Sequence, residues 1–286
     1  MSISAKIFLA LVVSLSACAP APRPSSAGGD GARAPELYLD HVPIAVHSLD
    51  AATQTYGERL GFRIKPGRPH ANGIRNAFAK FPDGSYLELI TAREATDDLS
   101  RGYTEFLERQ EGGRFLALRA DSLPAVAARF EAHGHASTLN RYGPAFSILS
   151  LADFALKHVF LIEYPEPVRD SARLLQHPNT ALGLETVWMP RRRFEALARV
   201  PSVFRVSADG SAISLARGVI ALSDETTGGS VAGVTVRVRS IDAAREAVRR
   251  GTGEELPIRE DARGRSIRVS ARLAHGVWIE FVERPG

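Results

Sequence analysis

Val46-His47-Ser48-Leu49-Asp50-Ala51-Ala52 returns as Val238-Arg239-Ser240-Ile241-Asp242-Ala243-Ala244, a shift of 192 residues, and the same shift carries Tyr86-Leu87-Glu88-Leu89-Ile90 onto Trp278-Ile279-Glu280-Phe281-Val282. Two matches at one offset mark an internal repeat, and a repeat fixes architecture before any motif does. Both copies share one grammar. An apolar strand leads into a Ser placed to cap a helix, Ala-rich sequence continues the helix, and further strands end in an apolar run with one Glu inside it.

Outward from the first copy, the pattern predicts a strand over Leu37 to Val46 and a helix over Leu49 to Leu60. Strands follow over Phe62 to Pro66, Asn76 to Phe81 and Tyr86 to Thr91, the last hairpin turning at Asp83-Gly84. A weaker copy starts at Arg114, has its helix over Leu123 to His133 and ends at Val159 to Tyr164. Another starts at Leu182 to Met189, has a short helix and closes on Val219 to Leu222 without a Glu. The fold class expected is α+β, in four βαβββ units. Pro165-Glu166-Pro167 and the polar stretch up to Thr180 separate two halves, 35–168 and 180–286.

Composition agrees with a globular body: the chain of 286 residues is 44% hydrophobic and 24% charged. A net charge of +4, with neither a basic arm nor an aromatic-basic stripe, argues against a nucleic-acid partner. The single cysteine, Cys18, excludes an internal disulfide. Around it lies an export signal, residues 1–17: a short basic start, then the apolar run Ile7 to Leu15, too short for a lasting transmembrane helix. Leu15-Ser16-Ala17-Cys18 resembles the bacterial lipobox, which implies cleavage before Cys18 and lipidation of its thiol. Ala19 stands where an inner-membrane retention signal would show Asp, so the expected address is the outer membrane, facing the periplasm. A plain secretory signal with an incidental cysteine is the alternative. Residues 18–34, rich in Pro, Gly, Ser and Ala, read as a disordered tether.

Leu39-Asp40-His41-Val42-Pro43-Ile44-Ala45-Val46, the loop Pro66 to Ala77 and Gly84-Ser85-Tyr86-Leu87-Glu88-Leu89-Ile90 together resemble a glyoxalase-like domain of the vicinal oxygen chelate superfamily. The resemblance implies that pairs of units close into open, cup-like sheets, two such domains in tandem. It implies one metal ligand from the first and last strands of each unit: His41 and Glu88, then Phe115 and Glu163. Phe115 cannot ligate. His41, Glu88 and Glu163 would suit a divalent Mn, Fe or Zn ion, which polarises two adjacent substrate oxygens while Glu88 or Glu163 moves a proton. A lyase, isomerase or dioxygenase-type reaction on a small molecule follows. The rival is a metal-free binding or sequestering module of the same fold. The layout also resembles extradiol ring-cleaving dioxygenases, but a His-His-Glu set is absent from the corresponding places.

Each residue keeps a plainer reading. His41 in a strand can be a structural histidine, and Asp40, beside it, should point to the opposite face. Glu88 and Glu163, each among apolar neighbours, lie either on a solvated face or beside a cation. His70, Asn72, Gly73 and Asn76 either contact substrate from a loop or make a turn. Glu185, Ala221, Gly233 and Glu280 take the ligand positions of the second half, which reads as scaffold with Glu280 facing solvent. Arg191-Arg192-Arg193 reads as a solvated helix start.

Overall fold

The computed structural model describes residues 36–167, 170–225 and 227–285. The signal segment, Cys18 and the tether lie outside them. In chain order the elements are β1 (Leu37–Ala45), α1 (Leu49–Gln54, continued by a π-helical turn Thr55–Arg59), β2 (Lys65–Pro66), β3 (Ile74–Lys80) and β4 (Tyr86–Ala92). Then come α2 (Asp98–Leu107), β5 (Gly112–Gly113), β6 (Leu116–Ala120), α3 (Leu123–Glu131), β7 (Ser137–Tyr142), β8 (Phe146–Leu151) and β9 (Val159–Glu163). The second half holds α4 (Ala172–Leu175), β10 (Ala181–Pro190), α5 (Arg191–Ala198), β11 (Arg205–Val206), β12 (Ala212–Ser214) and β13 (Val219–Ser223). It ends with β14 (Gly233–Val238), α6 (Ile241–Thr252), β15 (Arg259–Asp261), β16 (Gly264–Val269) and β17 (Trp278–Glu283).

The chain is α+β and folds into two open mixed sheets, ordered β2-β3-β4-β1-β6-β9-β8-β7 and β11-β12-β13-β10-β14-β17-β16-β15. Each sheet joins two βαβββ units through an antiparallel contact of their first strands, β1 with β6 and β10 with β14. Within a unit the first and last strands run parallel: Pro43 lies opposite Glu88, Ala117 opposite Phe160, and Thr235 opposite Glu280. Ser48 and Ser240 cap their helices as expected, accepting from Ala51 N and Ala243 N. The Arg191-Arg192-Arg193 run is the exposed to half-exposed first turn of α5.

Helices α1, α3, α5 and α6 pack between the sheets, around one continuous core, and α2 lies on the other face of the first sheet. Leu39, Ile44, Leu87, Leu89 and Leu161 point into it from one sheet, and Val187, Val234, Ile279 and Phe281 from the other. Fully burying each such side chain stabilises the fold by about 1.5–3 kcal/mol. Phe62, expected to open a strand, turns inward instead, with its ring 5.7 Å from Phe281, so the paired part of that strand shrinks to β2. α3 meets the segment between α5 and β11 where Phe130 lies 6.2 Å from Phe204. With the helix side of each sheet buried, the opposite faces carry whatever chemistry the chain has. Among the described residues no helix is long and apolar enough to cross a membrane.

Candidate functional site

The first sheet's outer face carries His41, Glu88 and Asn76 by regular alternation, and one irregularity adds a further polar group. The β1–β6 register slips between Leu39 and His41, a β-bulge, and the slip lets two successive side chains share a face. Asp40 is therefore not on the opposite face from His41, as strict alternation requires; its Oδ1 lies 2.6 Å from His41 Nδ1. Both residues are 4% exposed. Nδ1–H donates to Asp40, which leaves Nε2 as the nitrogen facing Glu88, with 3.5 Å between Nε2 and Oε2. Asn76 Nδ2 donates to the other Glu88 oxygen at 2.8 Å.

Aromatic rings wall this group. Tyr86 stacks on the imidazole at 4.3 Å between centroids, and Phe160 meets it edge-on at 5.6 Å. Tyr164 OH donates to Asp40 at 3.1 Å. Lys80 Nζ lies 3.1 Å from the centre of the Tyr86 ring, a cation–π contact. Burial draws the Lys80 ammonium down to about 8, against the opposing pull of Asp170 and Asp40; Asp170 is itself paired with Lys65. Burial, with Asp40 adding to it, raises the Tyr164 hydroxyl well above its ordinary range, so it stays a donor. At one end α2 covers the face, packing Tyr103, Phe106 and Leu107 against Ile74, Ile90 and Phe115.

Three of the expected partners join this group and three do not. His41 of β1, Asn76 of β3 and Glu88 of β4 converge. Glu163 does not: it shares the core side of β9 with Leu161, and its Oε2 accepts from Leu123 N at the start of α3. Glu283 does the same for Ile241 N at the start of α6, so Glu163 is the counterpart of Glu283, not of Glu88. By strand pairing the counterpart of Glu88 is Phe160. Asn72 is tied up elsewhere, donating to Asp97 Oδ2 at 2.9 Å beside the start of α2. His70 is exposed, and its backbone closes the turn through Gly73, whose φ of 77° favours glycine.

The four positions that the family resemblance assigns to metal donors thus hold His41, Glu88, Phe115 and Phe160. Two of them can donate. Among the described residues no group of three or more His, Cys, Asp or Glu side chains gathers in a form that could hold an ion. The residues present therefore do not fit a resident Mn, Fe or Zn ion held by the chain alone, which takes three or more protein ligands.

The second sheet's outer face differs. Gly233 stands at the His41 position, and a Cβ there would come within 2.5 Å of Trp188 Cε3, so the indole occupies the space of the missing side chain. Glu280 does not face solvent. It is 1% exposed, accepting from Thr235 Oγ1 at 2.9 Å, Arg268 Nε at 3.2 Å and Arg263 Nη1 at 3.3 Å. Glu185 pairs instead with Arg284.

A family model described as a glyoxalase-like domain matches residues 39–202. The chain belongs to that family. It is also 31% identical over 94 residues to the uncharacterized protein YwbC of Bacillus subtilis (strain 168), covering 32% of this chain and 68% of that protein. Among solved structures, a hypothetical protein from Staphylococcus aureus aligns over 86% of this chain and 99% of its own, with a TM-score of 0.55 at 14% identity. Homoprotocatechuate 2,3-dioxygenase from Arthrobacter globiformis aligns over 88% and 81%, with a TM-score of 0.60 at 14% identity. A variant of that enzyme from B. fuscum aligns over 90% and 73%, with a TM-score of 0.60 at 12% identity. At these identities the structures share the fold. The glyoxalase-like chain is accordingly a member of the vicinal oxygen chelate superfamily with two tandem cups.

Sequence reasoning missed Asp40, Tyr86, Tyr164 and Lys80. The last three share the parity of Glu88, Phe160 and Asn76 along their respective chain segments and were legible in principle. The bulge that turns Asp40 was not.

Proposed function

We propose that the first cup is a small-molecule site in which Asp40, His41, Glu88 and Asn76 bind and orient adjacent oxygens without a resident metal ion. The observation that carries this reading is the Asp40–His41 hydrogen bond with Nε2 turned toward Glu88, in a face whose other two ligand positions are Phe115 and Phe160. Asp40 holds the ring and its tautomer, Tyr164 holds Asp40, and Nε2 and Glu88 are left to exchange a proton with a bound hydroxyl or carbonyl. The aromatic walls exclude water and favour a flat molecule. Sequestration needs nothing more, and acid–base turnover needs only that the bound molecule carry an acidic C–H or O–H next to a carbonyl.

A metal-dependent lyase, isomerase or dioxygenase is the second reading, favoured by the 3.5 Å between His41 Nε2 and Glu88 Oε2, a spacing two ligands of one ion can adopt. Substrate or water would have to complete the set. Elemental analysis of residues 36–286 purified without chelators separates the two. Less than stoichiometric Mn, Fe and Zn, unchanged by His41→Ala, supports the first. About one ion per chain, lost in both His41→Ala and Glu88→Ala, overturns it. The chain's address is proposed from its sequence: anchorage through Cys18 at the cell envelope, tested by lipid labelling of the full chain against Cys18→Ser.

A further inference from the structure

The second cup contains a cavity of about 460 Å3, enough for a molecule of one ring, lined by Thr186, Trp188, Ala221, Leu222, Arg263 and Arg268. Its floor is a connected polar set: Trp188 Nε1 donates to Thr235 Oγ1 at 3.0 Å, and Thr235 donates to the buried Glu280. Arg268 lies 4.6 Å from the Trp188 ring and spends Nε on Glu280. Its Nη1 makes only a long ion pair with Glu225 Oε1, at 4.0 Å and outside hydrogen-bond distance, so the outer edge of a guanidinium lying over an indole borders the cavity.

We propose that this cup binds a small flat molecule carrying one carboxylate, the carboxylate on the outer edge of Arg268 and the ring against Trp188, Ala221 and Leu222. Three features point to that class. A planar guanidinium already oriented by stacking and by Glu280 matches a carboxylate with two parallel N–H donors and loses little freedom in doing so. The cavity walls beyond it are an indole, a methyl and an isobutyl group, suited to a ring rather than to a sugar. Asp224 and Glu225 also line the cavity, and their charge bears more strongly against polyanions such as phosphate esters than against a single carboxylate, which takes the place of Glu225 beside Arg268. The site owes nothing to His41 and stands or falls separately from the first cup.

Both tryptophans of the chain, Trp188 and Trp278, flank Gly233, so their emission reports on this cup. The test is titration of residues 36–286 with benzoate and with neutral benzamide, followed by tryptophan emission and by calorimetry. Saturable benzoate binding is expected, weaker by roughly tenfold for benzamide and for Arg268→Gln, the loss of one charge-assisted contact, and partly restored in Arg268→Lys. Ala221→Phe, which fills the cavity and leaves every charge in place, should abolish binding, and it decides the matter if Arg268→Gln does not fold. No saturable binding of benzoate, equal affinity for benzamide, or full affinity in Ala221→Phe overturns the proposal.

Discussion

Glu88 and Glu280 occupy the same place in two copies of one unit, 192 residues apart, yet their surroundings are opposed. Glu88 faces a histidine and an amide, with its side chain 13% exposed; Glu280 is fully buried under a threonine and two arginines. The difference begins on neighbouring strands. Where the first copy has His41, the second has Gly233, and the vacated volume goes to Trp188, against which Arg268 then stacks. A strand position fixes where a carboxylate points, but the side chains opposite decide whether it is free to work or serves to hold cations.

The sharpest way to break the comparison is to remove both carboxylates. Glu280→Ala leaves two arginines facing an uncompensated floor and should cost about 3–5 kcal/mol in urea unfolding. Glu88→Ala, losing chiefly the Asn76 hydrogen bond, should cost about 1–2 kcal/mol. Equal costs would mean that the two environments do not differ as drawn. Next, Gly233→Ala tests whether the indole fills the histidine's space: the added methyl strikes Trp188 and should destabilise by about 1–3 kcal/mol while shifting tryptophan emission.

Acid tests the first half further. His158, which precedes β9, is 1% exposed, and burial together with Arg193 holds its imidazole down to about 4. Because the unfolded chain takes up that proton more readily, stability is complete above the ordinary histidine range and is lost as pH falls from about 6.5 toward 4. At about pH 5 the loss should be on the order of 2 kcal/mol, and His158→Gln should flatten it. A profile as steep in His158→Gln as in the parent chain would assign the acid sensitivity elsewhere. The smallest effect belongs to Tyr164→Phe. Removing the hydroxyl that donates to Asp40 should cost about 0.5–1.5 kcal/mol and alter the His41 Nδ1–H signal in nuclear magnetic resonance, with no change in tryptophan emission.

How much of this was legible in the chain differs by level. The paired motifs at Val46 and Val238, the Ser caps and the apolar runs around Glu88 and Glu280 specify the units directly, because capping and alternation are local and are written in adjacent residues. The weaker second unit misled at its end. The residue that pairs there as Glu88 does in the first unit is Phe160, three residues before the embedded Glu163, and an odd offset along a strand turns Glu163 to the helix side. Which of these residues stands opposite the first strand leaves no mark in composition, since Glu163 is flanked by apolar residues on either reading.

By itself, then, the sequence determined the repeat and the βαβββ grammar, both consequences of short-range periodicity, while the meeting of His41 with Glu88 was what the family resemblance implied. Tertiary structure alone decided that a bulge turns Asp40 toward His41, that Glu163 serves a helix, and that Glu280 is buried under Arg263 and Arg268. Those outcomes depend on register between strands far apart in the chain, and on which side chain claims a shared volume. Neither is encoded by any single segment.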